Sequence, residues 1–381
     1  MPPFPTDQEI ATHIVDVHAH PTDSPIPHAL LAAPGHTICA MATRRADQAR
    51  VAALARAHPA RVVPGFGYHP WFSHLIYVPE GVDPASLGER AGLVQDPTPK
   101  KEEKPPKWAI FQDLLTRLPD PVCITDVLDE LRRNLKAFPG AILGEVGLDR
   151  AFRVPMSGKY AGEGEGEAEP SNSASAGKED HATKSATDKD SQDASPSPTL
   201  SPFTVPITHQ LAVLEAQTAL AVTLRAMGES VHARRDIVRT IWMGMSPKHT
   251  VDFLAKMKER YGDRWRAISV DLHSCGLSAE VWRTVEAAHP NAFLSLSTGI
   301  NMRQPHGTTP SSSSDPTNPS FTNSPPIPKS LSTLILSAHP SRLLAESDWH
   351  DAAESGQRTW EMLNIIAKVK GWDVEGVSGR G

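Results

Sequence analysis

The chain of 381 residues carries three cysteines, Cys39, Cys123 and Cys275, with no CxxC pair, which excludes a disulfide framework and a thiolate zinc knuckle. Its formal net charge of -6 is concentrated between residues 158 and 202, where nine acidic side chains face four lysines, so the near-neutral remainder neither favours nor excludes a nucleic-acid partner. No basic and apolar leader opens the sequence and no apolar run approaches membrane-spanning length, so the expectation is an intracellular protein, cytoplasmic or nuclear, without a membrane partner.

In chain order, a strand is expected at 14–18, a second at 37–41, a helix rich in Ala, Leu and Arg at 44–57, and a third strand at 62–67. A Pro, Gly, Lys and Glu-rich insertion follows at 79–107, then a helix at 124–137 with Thr125 as candidate cap, and a strand at 141–146. A Gly/Glu and Ser/Asp/Pro tract occupies 158–202, before a Leu and Ala-rich helix at 208–225 and a short strand at 229–232. A helix at 250–261, a strand at 267–273, a helix at 279–288 and a strand at 292–296 come next. After a Ser and Pro-rich insertion at 303–330, a strand at 342–346 and a helix at 355–370 complete the pattern. Eight strands alternating with helices describe a single (β/α)8 TIM-type barrel over 1–381, with the three low-complexity insertions as disordered surface loops.

Residues able to ligate a metal stand where the apolar runs stop. They are His18 and His20 in Asp16-Val17-His18-Ala19-His20, Glu145 in Gly144-Glu145-Val146-Gly147-Leu148-Asp149, His232 in Val231-His232-Ala233-Arg234, His273, and Asp348 in Glu346-Ser347-Asp348. Singly, each has a bland reading as a core histidine or a helix cap. Together, six ligands exceed what one tetrahedral cation needs, and two divalent ions, Zn, Mg or Mn, with Glu145 as bridge are the economical arrangement. Such a pair activates water and stabilises attacking and leaving oxygens, which points to hydrolysis of a phosphoester.

The series DVHAH, GYHPW (residues 67–71), GEVGLD, VHAR and ESD, in that order, resembles the TatD family of metal-dependent deoxyribonucleases, and its long inserts resemble a divergent fungal branch. The resemblance implies that His18, His20, Glu145 and Asp348 surround one metal and that Glu145, His232 and His273 surround the second. It further implies catalytic roles for Asp348, as the base acting on the water, and for Glu145. His69 and Arg234 would face the scissile phosphate of DNA or of a small phosphoester. Two other readings stand beside it: an amidohydrolase or lactonase on a related scaffold, and a barrel that serves protein partners through its inserts. Trp71 and Trp349 follow motif residues and are expected to wall the pocket, whereas Trp242, Trp265, Trp282 and Trp360 read as packing. Oligomeric state is not legible.

Overall fold

The computed structural model describes residues 3–79, 105–156, 200–226, 238–243, 247–303 and 326–372. Its strands are β1 (Val15–Ala19), β2 (Thr37–Met41), β3 (Val62–Phe66), β4 (Ile76–Tyr77), β5 (Val122–Cys123), β6 (Ile142–Leu143), β7 (Gly147–Leu148), β8 (Val238–Met243), β9 (Ser269–His273), β10 (Ala292–Ser297) and β11 (Leu343–Glu346). The chain is a mixed α/β protein with all strand pairings parallel: one sheet runs β1-β2-β3-β6, a second β11-β10-β9-β8-β7, and β4 pairs with β5 apart from both.

Parallel strands covered on both faces need apolar side chains on both, and β2 supplies them, with Ile38, Cys39, Ala40 and Met41 all buried. Ile38, Ala40, Phe66, Leu272, Leu294 and Leu296 from the strands join Val51, Leu54, Leu128, Leu131, Leu220 and Trp282 from the helices in one apolar cluster. Each Val, Leu, Ile or Phe side chain among them, taken from water, contributes about 1.5–3 kcal/mol.

The strand register delivers the site. Between Asp16 and Ala19 the β1 ladder carries one extra residue opposite β2, an irregularity that re-aims side chains at the strand's end, where His18 and His20 stand. Of the expected strand at 141–146 only Ile142–Leu143 (β6) forms, and Gly147–Leu148 (β7) follows in the other sheet, so Glu145 lies on the crossing between them. Its N–H donates to the Ala42 carbonyl at 3.0 Å, and that of Gly144 to Phe66 at 3.0 Å, so the crossing is held by the ends of β2 and β3. Gly67 makes this approach feasible: a Cβ there would stand 2.8 Å from the Glu145 carbonyl oxygen and 2.9 Å from its nitrogen. At the other edge, His20 N–H donates to the Trp349 carbonyl at 2.8 Å and Asp348 N–H to that of His18 at 3.0 Å, joining the ends of β1 and β11.

Several expectations are corrected. The strand between β7 and β9 is Val238–Met243, while 229–232 lies outside the described residues. The helix after β5, Ile124–Ala137, has Cys123 at its N-cap without a side-chain bond, and Thr125 donates to the Cys123 sulfur at 3.0 Å instead of capping. Helices Pro105–Leu115 and Lys329–Ser337 begin inside the stretches 79–107 and 303–330, and Leu200 forms a bridge with Pro155 inside 158–202. Otherwise those three insertions lie mostly outside the described residues. By compactness the chain divides into two units: Met1–Thr98, Pro121–Phe152 and Thr204–Gly381 carry every strand named above, and Pro99–Asp120 with Arg153–Phe203 carry helix Pro105–Leu115 and an edge contact between Phe111 and Phe203. Among the described residues no helix is long and apolar enough to cross a membrane.

Candidate metal centre

His18, His20, His69, Glu145, His273 and Asp348 converge at the strand ends. His18 Nε2 lies 3.1 Å from His20 Nε2, and each lies 3.5 Å from Glu145 Oε2. His20 Nε2 and His273 Nε2 each stand 3.7 Å from Asp348 Oδ1. The other oxygen of Glu145, Oε1, faces His69 Nε2 at 3.4 Å and His273 Nε2 at 3.9 Å. The rings of His18 and His273 stack at 3.5 Å between centroids, 14° from parallel.

These spacings fit a cation. Two donors sharing a tetrahedral zinc at bond lengths of about 2.0–2.1 Å lie about 3.3 Å apart, and the His18, His20 and Glu145 edges bracket that value. The carboxylates of Glu145 and Asp348 meet imidazoles here, groups that act as neutral ligands when a cation replaces the proton.

Contacts at the far ring nitrogens distinguish the imidazoles. His273 Nδ1 lies 2.8 Å from Glu346 Oε1, the side on which the ring keeps a proton when a cation replaces the one on Nε2, which faces Glu145 and Asp348. His69 is the reverse: its Nδ1 accepts from the Trp71 N–H at 3.2 Å, which leaves the proton on Nε2, facing Glu145. The Nε2 of His273 is therefore the atom open to exchange with a cation, whereas that of His69 presents an N–H. Burial drives the His69 pKa down to about 4 against the pull of Glu145, so it stays neutral. For His273 burial also disfavours charge, but Glu346, Asp348 and Glu145 outweigh it and hold the pKa up at about 10, so the surroundings of this ring favour positive charge.

Glu346, in sequence only the end of a strand, is fully buried and anchors the centre from beneath. Its Oε1 accepts from the Ser274 N–H at 2.8 Å and hydroxyl at 2.7 Å, and its Oε2 lies 2.7 Å from Ser295 Oγ. Burial opposes its charge, but His273 and these bonds hold its pKa down at about 2. Ser295 Oγ is also 2.9 Å from Asp271 Oδ2. One hydroxyl proton cannot serve two carboxylates, and burial together with the Glu346 charge pushes Asp271 up to about 8, which assigns the extra proton to Asp271. Ser274 and Asp348 reach their positions with φ of 42° and 50°, the left-handed region that Asp tolerates better than most side chains.

Two expected site residues, His232 and Arg234, lie outside the described residues. Trp71 stands beside His69, at 4.8 Å between ring centroids and 90° between planes, while Trp265 and Trp282 are fully buried as packing residues.

No family model matches the chain. The Cut9-interacting protein scn1 of Schizosaccharomyces pombe is 28% identical over 95% of this chain and 94% of its own length. An uncharacterized deoxyribonuclease of Saccharomyces cerevisiae is 34% identical over 96 residues, 25% of this chain and 26% of its own. Among solved structures, an uncharacterized amidohydrolase from Saccharomyces cerevisiae aligns over 95% of this chain and 82% of that one, with a TM-score of 0.45 and 12% identity.

Proposed function

We propose that the chain is a metal-dependent hydrolase, a TatD-like phosphodiesterase acting on DNA, whose two parallel sheets close one (β/α)8 barrel around a two-cation centre. The observation that carries the reading is the division of Glu145: Oε2 faces His18 and His20 while Oε1 faces His273 and His69, the disposition of a bridging carboxylate. The local match to a deoxyribonuclease supports DNA as the substrate. His18, His20, Glu145 and Asp348 would hold one ion, and Glu145, His273 and His232 the other. Bound there, divalent cations supply Lewis-acid polarisation and lower the pKa of water.

The side chains divide the remaining work. Asp348 is 19% exposed against 5% for Glu145, so Asp348 is the carboxylate that an incoming water can reach, and it orients that water and takes its proton. Glu145, pressed among imidazoles, stays ionised: burial raises its pKa, but His69 and His18 bring it well below the usual range. His69 offers its Nε2 proton to a phosphoryl oxygen, and Arg234 suits the same group with its planar fork.

Metal analysis of the purified chain, followed by labelled-DNA degradation with Mg²⁺, Mn²⁺ or Zn²⁺, tests the reading. His18→Ala and Glu145→Ala should lower metal content and reduce hydrolysis at least about a hundredfold, the scale of a lost group stabilising transition-state charge. Equal activity in those variants rejects it. The near full-length relative named for a protein interaction favours a compatible second role, partner binding through the inserts. Affinity capture from cells with and without residues 158–202 tests it: an unchanged set of captured proteins counts against this insert as the contact.

A further inference from the structure

Among the described residues β1 and β11 end different sheets and share no ladder, yet donors of the metal centre come from the ends of both. One buried carboxylate spans the gap. Asp16 Oδ1 accepts from the Ser347 N–H at 2.8 Å and, within its own strand, from the His18 N–H at 3.3 Å. Beside it, the His18 carbonyl accepts from the Asp348 N–H at 3.0 Å, and the Trp349 carbonyl from the His20 N–H at 2.8 Å. Residues 347, 348 and 349 are thus each bonded to the end of β1, and the first of these bonds is made by a side chain.

That bond flanks an unfavourable conformation. Asp348 has a φ of 50°, a left-handed backbone that residues other than glycine keep only where their surroundings hold them in it. Asp16 is also out of place by packing rules: it is fully buried, its ladder partner Ile38 is apolar, and a carboxylate taken from water is unfavourable unless its bonds compensate. An apolar residue would serve packing alone. What the carboxylate adds is an acceptor where the register of β1 shifts, between Asp16 and Ala19.

We propose that Asp16 is a positioning residue of the metal centre: by holding the N–H groups of Ser347 and His18 on one oxygen, it fixes the separation of Asp348 from His18 and His20. This role rests on the metal-dependent hydrolase reading above and adds a residue that ligates nothing. Without the acceptor, the N–H of buried Ser347 would need another partner, and the turn made to reach it would carry Asp348 Oδ1 from its place 3.7 Å from both His20 Nε2 and His273 Nε2.

Zinc titration of the full chain against a competing chelator, with the visible spectrum of the cobalt-substituted chain, tests the role without turnover. Asp16→Asn keeps the acceptor oxygen and should retain wild-type affinity and spectrum. Asp16→Ala, and Asp16→Leu, which fills the space without an acceptor, should lose at least about tenfold in affinity, the scale of groups that orient metal ligands, and alter the spectrum. Val285→Ala, a core change in helix Ala279–Ala288, should lower the melting temperature and leave both readouts unchanged, which separates positioning from stability. Wild-type affinity and spectrum in either acceptor-free variant, the same alteration in Val285→Ala, loss of metal in Asp16→Asn, or failure of both acceptor-free variants to fold overturns the assignment. A wild-type chain that binds neither ion rejects the hydrolase reading and the assignment together, so the two failures are distinct.

Discussion

At the scale of residues, Glu346 decides which nitrogen of His273 is available. Glu346 occupies the Nδ1 side at 2.8 Å, so Nε2 is the nitrogen that exchanges its proton for a cation, without a turn of the ring. Glu346→Gln keeps the shape but removes the charge, and metal affinity should fall about 10- to 100-fold with the far-UV spectrum unchanged. Zinc titration against a competing chelator measures this, and wild-type affinity in the variant would sink the assignment. The sequence named His273 as a ligand from its place at a strand end but gave no reason to separate Glu346 from the Glu346-Ser347-Asp348 run. What makes Glu346 a partner of His273 is that β10 lies between β9 and β11 and contributes Ser295, an adjacency that exists only once the sheet has formed.

At the scale of elements, helix Ala352–Lys370 is seated on the ring of His36, which bonds Ser355 Oγ at 2.9 Å. Gly356 lets the ring lie close, since a Cβ there would be 2.7 Å from His36 Cε1. Burial, assisted by the Arg61 charge, pushes the His36 pKa from 6.5 down to about 4. Between those values the unfolded chain takes a proton that the folded one refuses, so this contribution is complete above about pH 6.5 and lost as pH falls toward 4, by about 3 kcal/mol. Urea unfolding at about pH 7.5 and 4.5 should show a smaller acid loss in His36→Gln than in wild type, and equal losses would refute the account. Helices with clear periodicity were legible almost to the residue: Ala279–Ala288 matches, with Ser278 accepting from Val281 N–H as its cap. The crossing at Glu145 was not, because Ala141, Ile142, Leu143 and Val146 read as one continuous apolar strand. The register that splits it comes from the ends of β2 and β3, which local pattern does not encode.

At the scale of the molecule, alternating strands and helices announced a parallel α/β architecture, and the order β1-β2-β3-β6 and β7 to β11 follows the sequence as such an alternation requires. The edge contact between β1 and β11 could not be read, since the residues that make it, His18, His20, Asp348 and Trp349, are about 330 positions apart and meet only once the chain has folded. On the proposed reading, the donors straddle that contact: His18 and His20 stand at the end of the first strand, Asp348 just past the last. A bound ion would tie the opening of the fold to its close, and occupancy and folding would draw on one shared free energy. At a hundredfold excess over its dissociation constant the ion would add about 2.7 kcal/mol to the folded state. A chelator would then act on this protein as a denaturant, and scarcity of metal would thin its population as well as silence its chemistry.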